Sequence, residues 1–340
     1  MKKIVFIDYK ENPPYTINSL ENESLSGTQG SVIRIAEKLG EKYEVFVLQA
    51  GMDTIMRSNN LVTYGPLNMW KMLKKAPDVV VTVRMRPDLY KSLGVFKESK
   101  QIVWHHDTPY RMNTYFYSEM EQANVTILGV SQSHRDAIKS VFSNHNLPLK
   151  NISIDYIYNP IDDNLRKDDN FVDPYKLFFC SDPLKGLRNT LKCFAYLYKK
   201  EPRFHLTIAN PNHRLQLNKD LVKWISAHQN IYLAGRITHS ETIQHLRESL
   251  CLFYPNFVCP EAFGLVYAEA QAIGTPVLTH DIGAASEILS HPDQLTDTTN
   301  QEEVAQKVLS WSEGNRPTVA LGDEFRLSNV IKKWYQLIEN

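Results

Sequence analysis

The sequence has no net charge, no cysteine cluster and no long apolar run. Its 340 residues include 38 Lys and Arg and 38 Asp and Glu, so no global field attracts nucleic acid or an anionic membrane. The four cysteines lie in the second half of the chain without C-x-x-C spacing, which disfavours a metal cluster and indicates a reduced, cytoplasmic protein. No apolar stretch reaches the roughly 18 residues that a membrane-spanning helix needs.

A dinucleotide-binding fingerprint is also absent. The first strand, Ile4 to Ile7, is followed by a polar loop and by Gly27-Thr28-Gln29-Gly30 rather than G-x-G-x-x-G. No acidic residue closes the second strand, so a nicotinamide-dependent oxidoreductase is disfavoured. Gly27 and Gly30 are expected to form a turn before a helix, where the backbone can approach a phosphate closely.

Short apolar strands alternate with helices in two successive series, a pattern typical of parallel α/β domains. The polar stretch 162–173 separates the two series, and the chain length suits two domains of roughly 150 residues each. We therefore predict two doubly wound, Rossmann-like domains that face each other across a cleft. They comprise residues 1–162 and 163–322, and an amphipathic C-terminal helix follows within 323–340.

The stretch from Pro260 to Pro276 reads as a loop and a helix between two buried strands. It carries two carboxylates eight residues apart, Glu261 on the loop and Glu269 in the helix. Ligands of open α/β sheets bind beyond the carboxyl ends of the strands, and a helix N-terminus there suits a phosphate. The simpler interpretation is that Glu261 only complements the helix dipole and that Glu269 lies in solvent. Alanines on both sides of Glu269 favour close packing instead.

Two other stretches have alternative interpretations. The fourth strand delivers His105, His106 and Asp107 at its carboxyl end. Because adjacent histidines point apart and no further cluster accompanies them, we expect one to line the cleft rather than to bind a metal. The basic amphipathic segment 67–75 is expected to be a helix that covers the sheet, with its lysines in solvent. Contact with anionic lipid is the alternative.

The Pro260–Pro276 stretch contains Pro-Glu-Ala-Phe-Gly-Leu and, from the second glutamate, Glu-Ala-Gln-Ala-Ile-Gly-Thr-Pro-Val. It resembles the E-x7-E motif of retaining glycosyltransferases of the family-4 type (glycosyl transferases group 1), which have the GT-B fold. The resemblance covers most of the chain and is strongest over 230–288. Further matches follow in the family's order: Ser131, Asn159-Pro160-Ile161-Asp162, Lys185-Gly186 and Gly235.

The sequence also departs from the family. Pro160 replaces the usual glycine of N-G-x-D, and Ala284 stands where a second glycine is common. A serine, at Ser181 or thereabouts, occupies the place of an arginine that usually precedes the lysine. Diphosphate binding would therefore depend more on Lys185 and on Arg236.

The resemblance implies a site for a nucleotide sugar. Glu269 would hold the ribose hydroxyls, Glu261 would contact the donor sugar, and Lys185 would neutralise the diphosphate. The terminal helix would cross back to the first domain. The backbone at Phe263, Gly264 and Leu265 would surround the sugar and diphosphate, and Gly27 and Gly30 would approach the diphosphate from the first domain. His105 or His106, with Asp107, would lie near the sugar. The implied catalytic residues are Glu261, His106 and Lys185.

The activity implied is transfer of a hexose from a UDP- or GDP-linked sugar to a hydroxyl of a glycan or glycolipid, with retention of the anomeric configuration. No D-x-D occurs, which fits a metal-independent transferase, so we expect no cofactor besides the donor. We expect a cytoplasmic protein, with peripheral membrane contact as an option, and no nucleic-acid partner. The alternatives are a GT-B epimerase and a non-catalytic nucleotide-sugar-binding subunit that regulates a partner transferase. The latter should lack Glu261 or Lys185.

Overall fold

The computed structural model describes residues 1–10, 13–73, 75–85, 88–109, 117–209, 219–226 and 228–340. The chain divides into two compact units. The first consists of residues 1–18, 27–160 and 326–340, and the second of residues 19–26 and 161–325. The short segment 19–26, which follows the first strand in the sequence, is therefore part of the second unit.

The first unit is built on one sheet. Its strands are β1 (Lys3–Asp8), β2 (Glu44–Gln49), β3 (Met56–Arg57), β4 (Val62–Pro66), β5 (Val79–Val83), β6 (Lys100–Trp104), β7 (Thr126–Gly129) and β8 (Ser153–Tyr156). They lie in the order β3-β4-β2-β1-β5-β6-β7-β8, and only β3 pairs antiparallel with its neighbour. β1 and β5 are almost continuously apolar and buried, as central parallel strands covered on both faces require.

The second unit contains a five-stranded parallel sheet. Its strands are β9 (Asp173–Cys180), β10 (His205–Ala209), β11 (Ile231–Gly235), β12 (Ser249–Phe253) and β13 (Val277–Leu278). They lie in the order β11-β10-β9-β12-β13. Because β9 and β12 are direct neighbours, the loops that follow these two strands leave the sheet side by side.

Helices connect the strands in both units. They are α1 (Ser19–Asn22), α2 (Gly27–Gly40), α3 (Leu89–Val95), α4 (Tyr117–Gln122), α5 (Gln132–Asn144), α6 (Leu187–Lys200), α7 (Lys219–Ser226), α8 (His239–Glu248), α9 (Leu265–Ala272), α10 (Ala285–Ile288), α11 (Gln301–Ser310) and α12 (Leu327–Glu339). None of the helices among the described residues is long and apolar enough to cross a membrane.

The last helix, α12, packs in the first unit. Its Trp334 side chain is fully buried, and the ring lies 4.8 Å from Trp104 and 6.1 Å from Phe6, between centroids. Two lysines bind carbonyl groups of its last turn, Lys2 at Ile338 O and Lys100 at Leu337 O, at 2.9 and 2.6 Å. These cations satisfy carbonyl groups that the helix itself cannot and complement its dipole.

The two-unit α/β architecture confirms the predicted fold class, but two local predictions were wrong. Gly27–Gly30 is the first turn of α2 rather than a turn before it. Where a helix over 67–75 was predicted, Leu67–Met72 forms a short 3-10 helix that follows Pro66 and ends where Leu73 becomes extended.

The apolar side of this 3-10 helix packs on the first sheet, so it does cover the sheet as expected.

Candidate functional site

The carboxyl edge of the second sheet brings together residues that lie far apart in the sequence. Lys185 follows β9, and Glu261 follows β12. The Lys185 Nζ and Glu261 Oε2 atoms are 2.7 Å apart, although 76 residues separate them in the chain. The structure therefore places the two principal second-domain candidates in direct contact.

The carboxylate of Glu261 is held at both oxygens. Oε2 contacts Lys185, and Oε1 accepts a hydrogen bond of 2.8 Å from the Tyr254 hydroxyl. Glu261 is 8% exposed, whereas the Lys185 side chain is 36% exposed. Burial acts to lower the pKa of Lys185, but the charge of Glu261 and the hydrogen bond to it outweigh burial and raise that pKa. Lys185 is thus a positively charged side chain that is held by Glu261 and remains partly exposed to solvent.

The backbone of Glu261 is fixed against the loop that follows β13. Glu261 and Gly283 form a parallel bridge, and the Ala284 N–H donates to the Glu261 carbonyl at 3.0 Å. Gly283 has φ +63°, and a Cβ there would lie 2.5 Å from Glu261 O and 2.9 Å from Glu261 N. Only glycine permits so close an approach in this conformation, so Gly283 positions Glu261.

Helix α9 begins directly after the loop that follows β12 and carries Glu261. Its N-cap, Gly264, has φ +82°, and a Cβ there would lie 2.6 Å from the Tyr267 ring. The first N–H groups of a helix, here those of Leu265 and its successor, have no intrahelical partner. Together with the helix dipole they favour an anion at this end. Phe263, just before the N-cap, is buried against the Phe325 ring at 5.9 Å.

Glu269 lies on the buried side of α9 and is 8% exposed. Its Oε1 atom is 2.8 Å from Nε2 of His239, the first residue of α8. The capping box at Thr238 fixes the start of α8 and therefore the position of His239. Glu269 is thus a buried carboxylate rather than a solvated helix residue.

Arg236 does not join the Lys185–Glu261 group. Its Nη2 atom donates to the Ser24 carbonyl at 3.1 Å, in the segment that belongs to the second unit. Ser181, at the place where an arginine was expected, binds the hydroxyl of Tyr254 at 2.9 Å. Lys185 is therefore the cation that contacts Glu261 in the structure.

The first-unit candidates lie at the carboxyl edge of the other sheet. His105 Nδ1 accepts from the Met85 N–H at 3.3 Å, and its ring stacks on His134 at 5.4 Å. Burial lowers the pKa of His105 to about 3 and that of His134 to about 4. Burial also lowers the pKa of His106. All three rings are therefore neutral at pH 7 and can exchange hydrogen bonds but carry no charge.

Two nitrogen atoms of this group have unused hydrogen-bonding capacity. Nε2 of His105 and Nε2 of His106 are buried and have no partner among the described residues. Asp107 is half-exposed and lies 3.9 Å from Arg84, from Oδ1 to Nε. Arg86, which also follows β5 in the sequence, lies outside the described residues.

Gly27 and Gly30 lie in the first turn of α2. The N–H groups of such a turn have no intrahelical acceptor, so the backbone can still donate to an anion. Nearby, Tyr15 ties the loop after β1 to the sheet. Its hydroxyl donates to Asp8 at 3.1 Å, and its backbone exchanges two hydrogen bonds with the Gln49 side chain.

In the part of the chain that the structure describes, no three His, Cys, Asp or Glu side chains are grouped so that they could hold a metal ion.

Comparison with known families finds a match in the second unit. Residues 163–326 match the model of the family described as glycosyl transferases group 1. The segment includes Lys185, Glu261 and Glu269, together with the whole second sheet. A search of curated protein sequences finds no match.

Solved structures show the same fold for the whole chain. The Anabaena protein Alr3699/HepE, solved with UDP and glucose, has 17% identity and a TM-score of 0.70, with both chains fully covered. A glycosyltransferase from Rickettsia africae has 16% identity and a TM-score of 0.67, over 99% of this chain and 98% of that one. The match to TarM covers 82% of this chain but only 59% of TarM. These relatives establish the GT-B glycosyltransferase fold.

Two residues of the candidate site were not anticipated from the sequence. Tyr254 directly follows β12, and its position at a carboxyl edge was the available signal. No feature of the sequence linked His239 to Glu269, because 30 residues separate them.

Replacement of Gly283 should be more damaging than replacement of an unconstrained glycine. Gly283→Ala adds a clash with the Glu261 backbone to the αL strain of about 1–2 kcal/mol. Gly235→Ala is the matched control, since Gly235 has φ +69° and open space around a Cβ. We expect urea unfolding to show an additional loss of about 1–3 kcal/mol for Gly283→Ala. Equal losses in the two variants would contradict the close approach.

Proposed function

We propose that the protein is a retaining, metal-independent glycosyltransferase. It moves a hexose from a UDP- or GDP-linked sugar to a hydroxyl of a glycan or glycolipid. The observation that carries the proposal is the contact between Lys185 and Glu261 beside the N-terminus of α9. The family match of residues 163–326 supports it, as do the ligands named for two relatives. These relatives are the Anabaena protein, with UDP and glucose, and the pneumococcal O-GlcNAc transferase GtfA, with UDP and GlcNAc.

Lys185 and the start of α9 would stabilise the leaving group. Cleavage of the anomeric C–O bond leaves negative charge on the nucleoside diphosphate. A raised pKa keeps Lys185 protonated, and its ammonium is partly open to solvent. Fixed donors aimed at a developing charge are among the strongest contributions to catalysis. Because Ser181 replaces an arginine and Arg236 binds the Ser24 carbonyl, Lys185 would carry most of this role.

Glu261 would act on the sugar side. The anomeric carbon gains positive character as the bond breaks, and a buried carboxylate stabilises such an oxocarbenium-like state, as in glycosidases. Its fixed backbone and doubly held carboxylate give it one orientation. Glu269, held by His239, would accept hydrogen bonds from the ribose hydroxyls. No metal is needed in this scheme.

The first unit would bind the acceptor. Its neutral histidines, His105 and His106, can bind hydroxyl groups through nitrogen atoms that have no partner among the described residues. The exposed Asp107 carboxylate could accept a hydrogen bond from a further hydroxyl group. Gly27 and Gly30, at the start of α2, would donate to the donor diphosphate.

A non-catalytic nucleotide-sugar-binding subunit is the second candidate, because Ser181 removes a charge that the family usually has. It would bind the nucleotide sugar without releasing the nucleotide. An epimerase would change the sugar without transferring it.

Glu261→Gln should abolish transfer because it removes the charge and keeps the shape. We expect kcat/KM to fall at least about a hundredfold, measured as nucleotide release from UDP- and GDP-linked hexoses with glycan and glycolipid acceptors. Glu248→Gln is the matched control, since Glu248 also pairs with a lysine, Lys176, at 2.5 Å in the same unit. The control should keep its rate within about twofold. Transfer at the wild-type rate by Glu261→Gln would contradict the proposal.

We also propose that the protein is cytoplasmic and contacts membranes peripherally through the segment 67–75. Met72 is 73% exposed there, beside the exposed Lys71 and Lys75. Lys74 lies outside the described residues. A lysine near an anionic membrane contributes about 1 kcal/mol of binding free energy.

Replacement of Lys71, Lys74 and Lys75 by glutamine should therefore weaken binding to phosphatidylserine vesicles about a hundredfold, as measured by co-sedimentation. Glutamine at Lys192, Lys199 and Lys223 in the second unit gives the same change in net charge and serves as the control. If both triple variants bind like the wild type, the segment does not contact lipid.

A further inference from the structure

The ring of Tyr254 is held rigidly at the end of β12. It is fully buried and stacks on Phe179, with centroids 5.3 Å apart and an interplanar angle of 12°. The edge of Tyr267 closes another side at 5.4 Å. A side chain packed in this way has little freedom to move, so the position of its hydroxyl is fixed by the core.

The hydroxyl of Tyr254 has two partners at hydrogen-bonding distance. It donates to Glu261 Oε1 at 2.8 Å, and the Ser181 hydroxyl lies 2.9 Å away. A carboxylate can only accept, and a phenol has one proton, so the direction of both bonds is determined: Ser181 donates to Tyr254. Burial and the nearby charge of Glu261 raise the pKa of Tyr254, so it stays protonated.

The donor nucleotide would change the partners of Glu261. In the structure the carboxylate shares its charge with Lys185 at Oε2. A diphosphate that binds Lys185 would compete with Glu261 for the positive charge of the lysine. A buried carboxylate that loses its partners is strongly destabilised. The Tyr254 hydroxyl remains in place, because it depends on the core and not on Lys185.

We infer that Tyr254 is the positioning residue that holds Glu261 in its working orientation once the nucleotide engages Lys185. This role rests on the proposed function. Tyr254 acts through Glu261 and not on the substrate, so its loss should affect the rate of transfer and leave nucleotide binding intact.

Tyr254→Phe tests this role, with Tyr267→Phe as the matched control. Both substitutions remove a buried hydroxyl from the same aromatic cluster, but the Tyr267 hydroxyl binds Thr279 Oγ1 at 3.2 Å. Turnover of the active nucleotide hexose gives kcat and the donor KM. Calorimetry gives the dissociation constant of UDP or GDP, which lack the sugar that Glu261 would contact.

We expect Tyr254→Phe to lower kcat about 10- to 100-fold, the effect of a lost hydrogen bond to a charged group. Its nucleotide dissociation constant should stay within about twofold of the wild type. Tyr267→Phe should keep both values within about twofold.

A wild-type kcat in Tyr254→Phe would overturn the inference. Equal losses of kcat in the two variants, or a parallel loss of nucleotide affinity, would also overturn it, since either result indicates structural damage. A wild-type chain that turns over no nucleotide sugar would instead refute the proposed function, and this role with it. The two failures are thus distinguishable.

Discussion

The contact between Lys185 and Glu261 is the interaction on which the candidate site depends. It joins the loops after two neighbouring strands, β9 and β12, at the edge of the sheet where α/β proteins bind ligands. Either charge alone would be costly in this half-buried position. The pair therefore keeps both side chains in place.

The groups around this pair each fix a different part of the site. Gly283 fixes the backbone of Glu261, Tyr254 fixes one carboxylate oxygen, and the start of α9 directs free N–H groups toward the same edge. A site assembled in this way is preorganised, so little reorganisation is required when charge develops. The second carboxylate, Glu269, is fixed in the same manner by His239.

Local patterns predicted much of this arrangement. Apolar runs located the strands, and the eight-residue spacing of Glu261 and Glu269 placed one carboxylate on a loop and the other on a helix. That Lys185 and Glu261 belong to one site came only from the family resemblance. Their direct contact was not predicted, because sheet order sets such contacts. Tyr254 and His239 were missed for the same reason. The start of α2 was misplaced because glycine in the first helical turn resembles a turn signal.

The dependence of diphosphate binding on Lys185 is the most direct test of this site. Calorimetry would compare UDP with UMP, and GDP with GMP, in the wild type and in Lys185→Met. Loss of a charged hydrogen bond should weaken binding of the preferred diphosphate about 10- to 100-fold. The monophosphate, which lacks the outer phosphate, should change less than about twofold. Equal changes for the two nucleotides, or no change for either, would contradict the placement of the diphosphate at Lys185.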